Sequence, residues 1–62
     1  MNFKKIEKMT MTFEKLKKGI YFHKKGKLKK AEQLYNSVLE TFPKHPDASH
    51  NLGVLNVSLN KY

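Results

Sequence analysis

The chain has 62 residues, with thirteen lysines, no arginine, five acidic residues, no cysteine and a net charge of +8. One small folding unit fits that length, no disulfide or thiolate zinc site can brace it, and no apolar run approaches the ~20 residues that cross a bilayer. Most enzymes are excluded; a small helical interaction module, a basic peptide that folds on a partner, or a piece of a longer protein remains.

Residues 1–12 read as a basic amphipathic extension. Phe3, Ile6 and Met9 recur among Lys4, Lys5, Glu7 and Lys8, a helical period but short for a helix standing alone. Thr10 and Thr12 offer N-cap hydroxyls, with Glu14 following in a first turn. The first helix is therefore predicted over about 13–25, marked by Phe13, Leu16, Ile20 and Phe22. The series Ile6, Met9, Phe13, Leu16, Ile20, His23 also suits one unbroken helix from residue 3. Gly26 supplies the C-terminal stop.

The second helix is predicted over about 27–41. Leu28, Ala31, Leu34, Tyr35, Val38, Leu39 and Phe42 fall at three- and four-residue spacing. Pro43 ends it, because proline lacks the N–H that would continue the ladder. Pro46 and Asp47 suit the first turn of a third helix that runs to about Leu59. Ala48, Leu52, Leu55 and Leu59 share one stripe, with Val54 and Val57 away from it. Its Ser, Asn and Val content makes this helix weak without a neighbour. The fold class that follows is all-α, with three helices and an N-terminal extension.

Charge divides the chain. Residues 1–30 hold eleven lysines and two glutamates, a net +9, and residues 31–62 carry a net −1. Many lysines and asparagines with no arginine reflect the usage of an AT-rich genome, and lysine populates the solvated face of most small helices. Arginine, the bidentate reader of phosphate and guanine, is missing. Specific nucleic-acid recognition is therefore not expected, although lysines alone support salt-sensitive, non-specific phosphate contact.

Helix, glycine turn, helix, proline turn, helix is an αα-hairpin followed by the start of another. Gly19 and Gly53 lie 34 residues apart, as do Lys27 and Lys61. Gly19 is followed by Phe22, Gly26, Ala31, Tyr35, Val38 and Pro43, and the next unit opens with Leu52-Gly53. Over residues 13–62 this pattern resembles the tetratricopeptide repeat, a 34-residue helix-turn-helix unit. In that light residues 13–45 are one repeat and 46–62 the first helix of a second. Small Gly19 and Ala31 would let the paired helices approach, with Tyr35 and Val38 filling the space between. Asn60-Lys61-Tyr62 aligns with Gly26-Lys27-Leu28, so the chain reads as a fragment of a longer array. The sequence departs from the family at Lys15, Lys18, Ser49 and Asn56, where larger apolar side chains are usual.

The resemblance implies a groove lined by the first helix of each repeat. Carried onto this chain, that face holds Leu16, Ile20, His23 and Lys24, then Asp47, His50, Asn51, Val54 and Val57. Leu16 and Ile20 stand where the polar clamp of chaperone-tail binders would be, so such tails are not the expected ligand. The stripe Phe13, Leu16, Ile20 either makes that groove apolar or is covered by a folded-back Phe3–Met9 segment, and covering is the expectation, because an open apolar stripe is a liability.

Catalytic chemistry is not evident. His23, His45 and His50 do not have the spacing of a zinc site. His23 suits the negative end of the first helix, and His45 reads as a turn residue. Glu32 and Glu40 are expected in solvent. No nucleophile–base pair or phosphate loop is present, and no metal or cofactor is expected. Asn56-Val57-Ser58 matches the glycosylation sequon but lies inside a helix. The expected function is non-catalytic binding of protein or peptide by a cytoplasmic scaffold module of bacterial type, with self-association through the third helix as a further expectation. Two alternatives stay open: a basic amphipathic segment that lies on anionic membranes, and the N-terminal part of a repeat-containing glycosyltransferase or sulfotransferase.

Overall fold

The computed structural model describes residues 3–59, which form α1 over Phe3–Lys24, α2 over Leu28–Thr41 and α3 over Pro46–Ser58. The chain is all-α, with no strand among the described residues. Expectations resting on the Phe3 side chain or on Asn60, Lys61 and Tyr62 lie outside the described residues.

The first helix differs from the prediction of 13–25. One helix runs unbroken from Phe3, and there is no separate extension over the described residues before 13. The threonines do not cap a new helix. Thr10 Oγ1 donates to Ile6 O, one turn back, at 3.0 Å, a bond compatible with continued helix. Thr12 turns inward and is buried. The segment therefore prolongs the apolar stripe instead of folding back over it, and Phe13 is left 59% exposed.

Gly26 closes α1 with φ at +80°. The Gly26 N–H donates to His23 O at 3.1 Å, and the Lys27 N–H donates to Phe22 O at 2.9 Å. This crossed pair is the Schellman arrangement, which needs the left-handed backbone that glycine adopts without strain. The chain reverses at once, so α1 and α2 lie antiparallel.

Between α2 and α3 the backbone is held by two bonds, Phe42 N–H to Val38 O at 2.8 Å and His45 N–H to Phe42 O at 3.0 Å. Pro46 then opens α3 in its first turn. His45 is more than the turn residue expected. It is the N-cap of α3, and its Nδ1 accepts from the Ala48 N–H at 3.2 Å. An accepting Nδ1 puts the neutral ring's proton on Nε2.

Ala31, Tyr35 and Val38 of α2 are wholly buried, with Ala48 and Leu55 of α3 on one side and Leu16 of α1 on the other. Ile20, Phe22, Leu28, Leu39, Leu52 and Leu59 close around this core. Side chains such as Tyr35, Val38 and Leu55 each contribute roughly 1.5–3 kcal/mol by leaving water. α2 is the middle member, packed on both neighbours, while α1 and α3 scarcely touch.

Tyr35 organises the α1–α2 contact. Its ring lies so close to Gly19 that a Cβ there would sit 2.6 Å from Cε1 and 2.9 Å from Cδ1. Its hydroxyl lies 3.2 Å from His23 Nδ1. Lys15 Nζ donates to Ser37 Oγ at 2.7 Å, a second polar tie between the same helices. Glu40 is in solvent as expected, whereas Glu32 is half-buried with Lys29 Nζ 3.8 Å away.

Candidate functional site

The nine residues of the expected groove fall into three groups. Leu16 is buried in the core and Ile20 packs against it, so both already spend most of their apolar surface inside the chain. His23 is half-buried and engaged with Tyr35. Lys24, Asp47, His50, Val54 and Val57 are exposed, and Asn51 is half-buried. α1 and α3 scarcely touch.

A hollow of about 560 Å³ lies at one end of this face. α1 supplies Lys5, Met9, Thr12, Phe13 and Leu16 along one wall. The turn after α2 supplies Phe42 and His45, and the first turn of α3 supplies Asp47. Of the expected groove residues, only Leu16 and Asp47 line it. The hollow exists because α1 begins earlier than a hairpin helix needs to. Its first turns stand beyond the α2–α3 turn, and the step between them is left open.

Most of the step is apolar. Met9 is 57% exposed and Ile6 43% exposed on the same stripe as Phe13. The lysines gather at its outer end, where Lys4, Lys5 and Lys8 border Phe42 around an adjoining depression. Lys44 flanks Phe42 and His45 on the turn. Asp47, on the inner side, is the acidic residue among the lining groups.

Sequence reasoning missed the part of this site that comes from the turn. Phe42 was visible as the last apolar mark of the second helix, but nothing in the spacing puts it opposite Met9. The unbroken period from Ile6 to Ile20 was the signal that would have found the other wall.

Three other lysines lie along aromatic faces. Lys17 Nζ is 5.3 Å from the Phe13 ring centre, Lys30 Nζ is 5.1 Å from that of Phe22, and Lys25 Nζ is 5.7 Å from that of Tyr21. Such contacts hold an ammonium group over an apolar surface while leaving it in water. Among the described residues, no group of three His, Asp or Glu converges as a metal site would require. Burial pushes the Tyr35 phenol above its ordinary value, a consequence of its place in the core. No helix of the described residues is long and apolar enough to cross a membrane. No family model, curated protein or solved structure matches the chain.

Proposed function

We propose that the chain is a tetratricopeptide-type module that binds protein or peptide and catalyses nothing. The observation that carries this reading is the fit of Gly19 to the Tyr35 ring. The small residue and the aromatic stand at the positions where the repeat pattern calls for them, and the close helix approach gives them a physical purpose. The Gly26 reversal and the sequential docking of α3 on α2 fit the same architecture. A place in a longer array and a cytoplasmic site of action belong to the same proposal. Gly53 has nothing within 4 Å of a would-be Cβ, and Val57 is 66% exposed. An open face of this kind supports the reading, since a following helix would pack there as α2 packs on Gly19.

Selection from a displayed peptide library on the full chain tests the binding role. Selected peptides should shift amide resonances of α1 and α3 more than those of the outer face of α2. Failure to enrich any peptide above a basic helical control protein, or shifts confined to α2, would reject it.

A further inference from the structure

We infer that the step between the first turns of α1 and the α2–α3 turn is a docking site for an acidic peptide with an apolar anchor. The inference rests on the hollow itself and holds whether or not the chain is a repeat. Three occupants compete for such a surface, and the geometry and charge choose among them.

A second copy is disfavoured by charge. Each chain carries +8, and residues 1–30, which hold the α1 wall, carry a net +9. Pairing two such faces brings lysines against lysines, with Asp47 the acidic lining residue on each side. A bilayer is disfavoured by shape. Membrane-surface helices present a convex apolar face that sinks below the headgroups. Here Met9, Phe13 and Leu16 form one wall of an inside corner whose other wall is Phe42. A flat lipid surface leaves that corner unfilled, whereas a side chain projecting from a peptide fills it.

An acidic peptide satisfies both constraints. A Leu or Phe side chain fits between Met9, Phe13 and Phe42, and removes from water apolar surface that is now open. Glutamates or aspartates beside it meet Lys4 and Lys8 at the outer end, where those lysines border Phe42. Asp47 sets the direction, since a peptide's acidic side is repelled from the α3 side and drawn to the α1 side. The lysines supply on-rate and partner choice more than affinity, while the apolar corner supplies the hold.

The test uses the full chain and a fluorescent peptide with Leu-Phe at its centre and glutamates on both sides. Two analogues replace Leu-Phe by Ser-Ser, or every glutamate by glutamine. The parent peptide should bind about tenfold more tightly than the Ser-Ser analogue, the scale set by burying one apolar side chain, and should associate faster than the glutamine analogue by a margin that shrinks with salt. Met9→Glu should weaken the parent peptide about tenfold. Tyr21→Glu is the matched control: it starts from the same 57% exposure, changes charge equally and lies on another face, so affinity should stay within about twofold. Lys4→Gln with Lys8→Gln should lower affinity and flatten its salt dependence. Equal binding of the Ser-Ser analogue, or equal effects of Met9→Glu and Tyr21→Glu, would overturn the inference. So would binding to phosphatidylcholine–phosphatidylglycerol vesicles without binding to the peptide. The peptide comparison is made on the unaltered chain, so a variant that folds poorly does not blunt it.

Discussion

Two glycines 34 positions apart give an internal comparison for the packing between α1 and α2. Gly19 and Gly53 both lie inside helices, so replacing either by alanine gains about 1 kcal/mol from helix propensity and lost unfolded-state freedom. At Gly53 the new methyl group meets nothing within 4 Å, and the gain should be realised. At Gly19 it would meet three atoms of the Tyr35 ring, at 2.6, 2.9 and 3.4 Å. Carbon atoms are comfortable at about 3.5–4.0 Å, so ring or helix must move by about 1 Å. The ring has little room, being wholly buried with its hydroxyl engaged by His23. Overpacking of this kind costs roughly 1–3 kcal/mol. Propensity cancels between the two mutants, so Gly19→Ala should lie about 1–3 kcal/mol below Gly53→Ala. In a chain this short that separates their melting midpoints by roughly 8 °C or more, readable by circular dichroism at 222 nm with urea titrations as a check. In a Tyr35→Leu background the separation should shrink, because the clash has lost its partner. If both alanine mutants melt above the parent by the same margin, the close approach of α1 to α2 is wrong.

Three further outcomes follow from the same packing. Ala31→Leu adds volume where no surface is exposed and should cost about 1–3 kcal/mol; a melt like the parent's would remove Ala31 from the helix contact. His45→Ala removes the acceptor for the Ala48 N–H and should cost about 0.5–2 kcal/mol, with His45→Asn recovering most of it; a urea midpoint for His45→Ala equal to the parent's would show that the imidazole cap contributes nothing. Burial raises the Tyr35 phenol from 10.0, so the stability tied to its protonated form is whole below pH 10. It is lost as pH rises from there through the folded-state value, because the unfolded chain releases its proton first. Tyr35→Phe should flatten that alkaline decline in urea midpoints, and parallel declines in the two proteins would contradict the assignment.

The helices were legible wherever local chemistry and long-range packing agree. Leu28 to Phe42 keeps an apolar period between a glycine and a proline, and α2 occupies that stretch. Gly26 and Pro46 act as their backbone constraints require. The start of α1 was harder to see, because two local rules pull in opposite directions. Threonine hydroxyls favour a new helix start, while the Ile6–Met9–Phe13 period favours continuation, and the burial of Thr12 goes with continuation. His45 was missed as a cap because capping is associated with small polar side chains, although an unprotonated imidazole nitrogen is an adequate acceptor. Pairings such as His23 with Tyr35 or Lys15 with Ser37 depend on the relative rotation of two helices, which periodicity does not fix. The hollow combines both difficulties, since it needs the true start of α1 and the position of the turn that faces it.

The central placement of α2 also sets the order in which the molecule comes apart. Each outer helix answers to one neighbour, so α3 can detach while the α1–α2 hairpin stays closed, and the reverse loss of α1 leaves α3 with its own partner intact. Melting then spreads along a line of contacts and need not be all-or-none. Amide exchange should be slowest in the middle of α2, faster in α3, and fastest in the first turns of α1, which have no helix alongside them. A ligand seated at the step would slow exchange in those first turns most, and would convert the least protected part of the described residues into one of the better ordered.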